Sequence, residues 1–162
     1  MGLAGSTSKK VVAYRFDRET VQGFINPQNH LGAEGIEIIT SSGEVVVLAY
    51  TQVKALCFVR DFDSSLSWKT HRAFANRPKT PGLWVRLLFR DGDTLEALIS
   101  NDLLLMEARG INVAPPDAGL QNKTFIPREA VSHVEVLGVV GSPLRRSPRQ
   151  KPAEREQLKM FE

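Results

Sequence analysis

The sequence predicts a mainly β protein made of two tandem five-stranded small barrels that pack together, followed by a disordered C-terminal tail. Three observations predict this fold. Short stretches that alternate apolar and polar residues, separated by turn residues, run through residues 10–62. The same order of stretches returns, with matching residue types, in residues 83–140. The last part of the chain is rich in charged residues, a composition typical of a flexible tether.

Five strands account for the first repeat. The first two flank the turn residues 17–19 and predict a β-hairpin. The third and fourth flank a Ser-Ser-Gly turn at residues 41–43. Residues 49–52 are too few for a helix and suit a single 3₁₀ turn before the fifth strand. The predicted strands are residues 11–16, 20–25, 35–39, 44–48 and 53–59.

The second repeat follows the same order. A strong hairpin signal at residues 90–93 separates its first two strands, 84–89 and 94–99. Residues 125–137 align without a gap on residues 47–59, and their apolar positions coincide. Hairpin, strand, strand, tight turn and strand is the order of a small barrel of the SH3 or Sm type. The alignment predicts four equivalent core positions, namely Val53, Leu56, Val131 and Val134.

Composition divides the chain into five segments. Either barrel alone would be marginal because a unit of about 50–60 residues buries little surface, so we expect the two to pack together. In the linker we expect Trp68 and Phe74 to hold a short helix or coil across a barrel, with a ligand platform as the alternative. The predicted segments are a flexible N-terminus at residues 1–8, the first barrel at 9–62, the linker at 63–82, the second barrel at 83–141, and a flexible basic tail with a terminal peptide motif at 142–162.

Composition and charge exclude several classes of protein. Of the 162 residues, 42% are hydrophobic and 24% charged, the balance of a soluble globular protein. No apolar run is long enough for a membrane span and no signal-peptide core is present, so we expect a cytoplasmic protein. Of the 21 basic and 18 acidic residues, six basic and three acidic ones lie in residues 143–162, which leaves 15 of each sign in residues 1–142. Any contact with nucleic acid is therefore expected from the tail.

No catalytic or metal site is predicted. His30, His71 and His133 lack the spacing of metal ligands. Cys57 has no neighbouring histidine or arginine to activate it, so we expect an inert thiol, packed or half-exposed. The sequence contains no glycine-rich phosphate loop and no nucleophile elbow. We therefore expect neither an enzyme nor a cofactor.

Two segments resemble a known group of proteins. Residues 54–62, Lys-Ala-Leu-Cys-Phe-Val-Arg-Asp-Phe, and residues 82–92, Gly-Leu-Trp-Val-Arg-Leu-Leu-Phe-Arg-Asp-Gly, are similar to uncharacterised bacterial proteins with paired Sm-like or SH3-like small barrels. Members of that group are often companions of PilZ domains. The resemblance extends over residues 9–141. It implies a fold and a bacterial source, and it carries over no catalytic residue.

The ligand-binding patterns of neighbouring families are incomplete in this chain. Arg145 and Arg149 have the Arg-x-x-x-Arg spacing of a PilZ domain, but the later Asp/Asn-x-Ser-x-x-Gly turn is missing. The bacterial Sm-like RNA chaperones carry a Lys-His pair in a loop, whereas the loops here are Ala-Tyr-Thr-Gln at 49–52 and Pro-Arg-Glu-Ala at 127–130. The arginine of the second loop is followed by a glutamate, which disfavours RNA binding, although Tyr50 has a ring that can stack on a base.

The C-terminal residues carry the most specific motif. Gln157-Leu158-Lys159-Met160-Phe161 resembles the clamp-binding motif of bacterial DNA replication and repair proteins, usually Gln-Leu-Ser/Asp-Leu-Phe on a flexible terminus. The resemblance implies a glutamine amide in a polar notch of the sliding clamp and three apolar side chains in its pocket. Lys159 and Met160 depart from the usual pattern. Alternatively, the apolar residues fold back onto a barrel groove or add a strand to a sheet edge. The residues expected to touch DNA weakly and without sequence preference are Arg145, Arg146, Arg149 and Lys151.

Three functions follow from these features, in order of preference. The first is a non-enzymatic bacterial adaptor whose C-terminal peptide docks on the DNA sliding clamp in replication or repair. The second is a PilZ-associated signalling or regulatory module that binds through its barrel surface. The third is an Sm-like RNA-binding protein.

Overall fold

The computed structural model describes residues 7–62, 67–102, 104, 106–116 and 121–141, with only the backbone of residues 121 and 122. The described chain is mainly β, and a strand is present at each predicted position. The strands are β1 (Lys9–Arg15), β2 (Thr20–Ile25), β3 (Gly35–Ile39), β4 (Val45–Ala49), β5 (Val53–Val59), β6 (His71–Arg72), β7 (Gly82–Phe89), β8 (Thr94–Ile99), β9 (Gly110–Ala114), β10 (Gln121–Pro127) and β11 (Val131–Val140).

All of these strands belong to one sheet. The order across it is β11-β7-β8-β9-β10-β5-β1-β2-β3-β4, with β6 paired to β8. Neighbours along this order are antiparallel, and the short β6 runs parallel to β8. Within the described ranges no pairing joins β4 to β11, so the sheet is not closed. Two separate barrels are therefore not seen, because β10 of the second half hydrogen-bonds to β5 of the first.

The two halves repeat each other in strand order and in individual contacts. Each half arranges its strands with the fifth beside the first, followed by the second, third and fourth. The amide of Phe16 donates to the carbonyl of Gln52 at 3.1 Å, and the amide of Arg90 donates to that of Ala130 at 3.0 Å. These bonds occupy matching positions after the first strand of each half. The internal repeat read from the sequence thus extends to the backbone contacts.

Two apolar clusters fill the fold, and each takes residues from both halves. Because side chains alternate across a strand, β1 and β5 contribute to both clusters. The first cluster fills the first half and includes one residue of β10: Val11, Ala13, Ile25, Ile36, Ile38, Leu48, Tyr50, Val53, Leu56 and Phe125. The second fills the other half and includes residues of β1 and β5: Val12, Tyr14, Ala55, Cys57, Val59, Val85, Leu87, Phe89, Leu95, Ala97, Val113, Ile126 and Ala130. The two halves therefore share both apolar clusters as well as one sheet.

The predicted equivalence of four core positions is wrong in one respect. Val53 and Leu56 are fully buried, and Val131 is half-buried, whereas Val134 is 44% exposed. The physical reason is the position of the strands in the sheet. β5 lies between β1 and β10, whereas β11 pairs only with β7 among the described strands. An edge strand leaves side chains uncovered that a central strand buries.

Two local expectations also differ from the structure. Residues 128–130 form the expected 3₁₀ turn, but residues 50–52 form a simple hydrogen-bonded turn in which the amide of Gln52 donates to the carbonyl of Ala49 at 2.9 Å. In the linker, Trp68 packs on the second cluster, as expected for a residue that holds the segment in place. The difference is at His71 and Arg72, which form the short strand β6 where a helix or coil was expected.

Candidate functional site

A cleft of about 510 Å³ lies between the two halves, beside the hairpin turns that follow β1 and β7. Residues of the first half, of the linker and of the second half all line it. At its base is Lys54, the second residue of β5, which is 4% exposed although both of its neighbours along the strand are apolar. A buried ammonium needs compensating partners because its desolvation is costly.

Two carboxylates of the β7–β8 turn compensate this charge. The Nζ atom of Lys54 lies 2.5 Å from Oδ2 of Asp91 and also donates to Oδ2 of Asp93. Trp68 Nε1 donates to the same Asp93 oxygen at 3.0 Å. The site therefore joins a strand of the first half, a turn of the second and the linker through one hydrogen-bonded group.

Aromatic rings complete the surroundings of the ammonium. The Nζ atom of Lys54 lies 5.0 Å from the centre of the Trp68 ring, 5.3 Å from that of Phe89 and 5.7 Å from that of Phe16. These distances are within the range of cation–π attraction. The Trp68 ring meets Phe89 edge-on at 5.4 Å and lies 5.5 Å from Tyr14. Aromatic packing therefore holds Lys54 in place alongside the ion pairs.

The β7–β8 turn places both carboxylates toward Lys54. The amide of Asp93 donates to Oδ1 of Asp91 at 3.2 Å, a local bond that orients the Asp91 carboxylate. Burial works to raise the pKa of Asp91, but hydrogen bonds from Lys54 and from the Asp93 amide, with the charge of Lys54, outweigh it and hold the pKa below its ordinary value. Asp91 is therefore ionised at neutral pH.

The upper walls of the cleft are polar and more exposed. Arg15 pairs with Asp17 at 3.0 Å, and the side chains of Arg18, Glu19 and Thr20 line the same side. The base is thus an ion cluster of one ammonium and two carboxylates in an aromatic setting, and the rim offers charged groups of both signs. This arrangement suits holding the two halves together and contacting a polar partner at the rim.

The positions of Cys57 and Tyr50 argue against two roles considered from the sequence, a reactive thiol at Cys57 and stacking of the Tyr50 ring on a base. Burial raises the pKa of Cys57 to about 11, although a hydrogen bond from Thr124 and the charge of Arg72 act in the opposite direction. The thiol is completely buried. Of the two positions expected for an inert thiol, packed or half-exposed, the structure shows the packed one. Tyr50 is 6% exposed and donates its hydroxyl hydrogen to the carbonyl of Gly32 at 2.6 Å, so its ring is not open to a base.

The residues predicted to bind partners lie outside the part of the chain that the structure describes. Those of the terminal motif and of the basic tail fall in residues 142–162, outside the described residues: Gln157, Leu158, Met160, Phe161, Arg145, Arg146, Arg149 and Lys151. In the part of the chain that the structure describes, no group of three or more His, Cys, Asp or Glu side chains is placed to hold a metal ion. Of the helices in that same part, none is long and apolar enough to cross a membrane.

Sequence reasoning missed the Lys54 cluster. One signal was available: a single lysine interrupts the apolar strand Val53–Val59, and two aspartates flank the glycine of a turn. The partners are 37 and 39 residues apart in the chain. Their contact depends on how the two halves meet, which the repeat pattern does not specify.

Comparison with known proteins identifies a family. No curated protein matches the chain, and no solved structure matches it. The model of one family, described as a family of unknown function (DUF6982), matches residues 7–138. That match covers both repeats and every strand described above except the last residues of β11. The chain therefore belongs to the DUF6982 family.

Proposed function

We propose that this protein is a non-enzymatic bacterial adaptor of the cytoplasm whose C-terminal peptide docks on the DNA sliding clamp. One observation carries the proposal, the sequence Gln157-Leu158-Lys159-Met160-Phe161 at the end of the chain. The place where the described sheet ends supports it; we call this sheet, residues 9–140, the β body. β11 lies at an edge of the sheet, and Gly141, the last described residue before the tail, is exposed. The described part of the chain thus ends at a surface position of the sheet, before the motif begins.

The chemistry of the motif suits a short anchor. The amide of Gln157 can both donate and accept a hydrogen bond, which fixes the register of the peptide on its partner. Leu158, Met160 and Phe161 each contribute about 1.5–3 kcal/mol when buried, before the entropy cost of ordering the segment is subtracted. Methionine at the fourth position is acceptable because its unbranched side chain adapts to irregular apolar pockets. Lys159 lies where a small or acidic residue is usual and contributes no apolar contact.

The basic part of the tail adds a weak contact with DNA in this proposal. Residues 1–142 carry equal numbers of basic and acidic side chains, so the surplus of the tail dominates any attraction to phosphates. Four basic residues of the tail are expected to make this contact: Arg145, Arg146, Arg149 and Lys151. Replacing all four with glutamine removes their charge and should remove most nonspecific DNA affinity and flatten its salt dependence.

A labelled peptide of residues 150–162 tests the clamp proposal. It should bind a purified bacterial sliding clamp with roughly micromolar affinity, the range for a flexible segment that is ordered on binding. Gln157→Ala should cost about 1–2 kcal/mol, the loss of a hydrogen-bonding amide. Affinity should change little with salt concentration. A steep salt dependence would instead indicate attraction between a basic tail and an acidic ring, and would remove the motif as the cause.

A second candidate function is a signalling or regulatory module, PilZ-associated, that binds through the surface of the β body. The cleft between the halves favours it, since its rim offers Arg15, Arg18 and Glu19 to a polar partner. A purified PilZ domain titrated against the full chain tests this. Arg18→Glu should weaken binding if the rim is the docking surface, whereas Arg60→Glu, an exposed residue outside the cleft, serves as the control. Equal affinity for both variants and the unaltered chain would exclude the rim.

We also propose that each half is a small barrel-like unit of the SH3 or Sm type, sharing one sheet with the other. The support is the strand order, in which each fifth strand lies beside the first. RNA binding of the Sm-like kind remains the third candidate. The burial of Tyr50 counts against it, because its ring was the group in these loops able to stack on a base.

A further inference from the structure

The two edge strands of the sheet carry exposed apolar side chains. Among the described strands, β4 pairs only with β3, and β11 pairs only with β7. Val45 and Val47 of β4 are 63% and 48% exposed, and Val134 and Val136 of β11 are 44% and 59% exposed. An edge strand with apolar side chains is a template for pairing with another strand.

The protein contains its own example of how such edges meet. At the junction between the halves, β10, the fourth strand of the second half, pairs antiparallel with β5, the fifth strand of the first. In this junction Phe125 lies opposite Leu56, and Lys123 lies opposite Phe58. The free edges belong to the same two classes of strand: β4 is the fourth strand of the first half, and β11 is the fifth strand of the second.

The repeat alignment transfers the register of this junction to the free edges. Residues 47 and 45 are equivalent to Phe125 and Lys123, and residues 134 and 136 are equivalent to Leu56 and Phe58. The transferred register therefore places Val47 opposite Val134 and Val45 opposite Val136. These are four of the five exposed valines of the described residues, although exposure was not used to derive the register.

The faces of the strands agree with this register. Val134 and Val136 lie opposite Leu87 and Val85 of β7, which are fully buried, so the core face of the second half continues to the edge and stays uncovered there. At the internal junction, Phe125 leaves its own half and enters the core cluster that contains Leu56. Val47 would enter the uncovered core face beside Val134 in the same way.

We propose that β4 of one copy pairs antiparallel with β11 of a second copy and continues the sheet between chains. Each copy then offers one edge of each kind, so the interface is heterologous and builds a ring or an open chain of subunits. No like charges meet in the transferred register, since Glu135 lies opposite Val46 and is already paired with Arg86 at 2.9 Å.

Light scattering on the full chain over a range of concentrations tests the proposal. The unaltered protein should have a mass of several chains. Val47→Lys and Val136→Lys should each weaken association by about tenfold or more, because each places a charge in the joined edge. Val139→Lys is the matched control: Val139 is 51% exposed on the same strand but lies beyond the reach of β4 in this register.

Mixing the two variants tests the heterologous arrangement. Val47→Lys keeps β11 intact, and Val136→Lys keeps β4 intact. At a concentration close to the dissociation constant of the unaltered protein, each variant alone should therefore be mainly monomeric, and their equimolar mixture should form a heterodimer. If the unaltered protein is a monomer at about 100 μM, the proposal is wrong. That result is expected instead if the tail of the same chain covers the edge. Loss of association from Val139→Lys equal to that from Val136→Lys, or a Val47→Lys variant that associates alone as strongly as the unaltered protein, would overturn it as well.

Discussion

Lys54 of β5 and Asp93 of the β7–β8 turn form an ion pair that connects the first half of the protein to the second. The Lys54 side chain is 5% exposed and that of Asp93 18% exposed. Asp93 also accepts the indole hydrogen of Trp68. One buried lysine thereby connects three segments that are distant in the sequence.

Lys54→Met should destabilise the protein strongly. The substitution keeps the length of the side chain but leaves the carboxylate of Asp93 without its cation, and breaking a buried pair in this way costs about 3–5 kcal/mol. Asp91→Asn is the control, because the Asp91 side chain is 36% exposed and its loss should cost about 1 kcal/mol or less. Urea denaturation measures both values. A Lys54→Met variant within about 1 kcal/mol of the unaltered protein would show that the pair contributes little.

The same ion cluster predicts the behaviour of the protein in acid. The pKa of Asp91 is held below its ordinary value of 3.8, so the carboxylate stabilises the folded state above that pH. This contribution is lost as the pH falls below about 4 and passes through the lowered pKa. Unfolding free energies measured between neutral pH and acid should show the loss. In Asp91→Asn the decline should be shallower, and an unchanged decline would assign it to other carboxylates.

The repeat pattern was the part of the fold that the sequence predicted best. Alternation of apolar residues placed the strands of both halves, and the gapless alignment of residues 125–137 on 47–59 agrees with the backbone contacts. It failed at Val134, because alternation identifies the two faces of a strand but not its place in the sheet. Whether a strand is central or at an edge depends on which strands of the two halves meet.

The candidate site illustrates the same limit. Lys54 stood out in the sequence as one charge in an apolar strand, yet its partners lie on a turn of the other half. The sequence predicted that turn as a turn and Trp68 as a residue that holds the linker. It did not predict that they meet, because the pairing of β5 with β10 that brings the halves together leaves no periodic signal.

The raised pKa of Cys57 predicts that the folded protein loses stability at alkaline pH. Burial raises its pKa from 9.0 to about 11 in the folded protein. Between these values the thiol of the unfolded chain ionises while the folded thiol stays neutral, so the stabilising effect is present below pH 9.0 and declines as the pH rises toward 11. Stability of the unaltered protein and of Cys57→Val, measured from pH 8 to about 10.5, should diverge in this window. Parallel curves would contradict the prediction.

Gly35 and Gly110 are equivalent positions that should be equally intolerant of a side chain. A Cβ atom at Gly35 would overlap the carbonyl oxygen of Leu48, and one at Gly110 would overlap that of Ile126. The obstacle is backbone in both halves, so each Gly→Ala change should cost about 3 kcal/mol or more.

Gly138→Ala is the matched control for these two substitutions. At Gly138 the nearest atom to an added Cβ belongs to the Trp84 side chain at 3.7 Å, an ordinary contact. Its cost should stay below about 1 kcal/mol in thermal or urea unfolding. A tolerated alanine at one of the paired positions and not at the other would mean that the repeat does not extend to these contacts.

The affinity of the full chain for a bacterial sliding clamp, compared between Phe161→Ala and Lys159→Ala, tests the clamp proposal most directly. Phe161 is the largest apolar group of the motif, so its removal should weaken binding by about 2–4 kcal/mol, as for an aromatic anchor. Lys159→Ala should be neutral or slightly favourable, since the related motif has a small or acidic residue there. Equal losses from the two substitutions, or no binding by the unaltered chain, would contradict the proposal and favour the surface of the β body as the functional site.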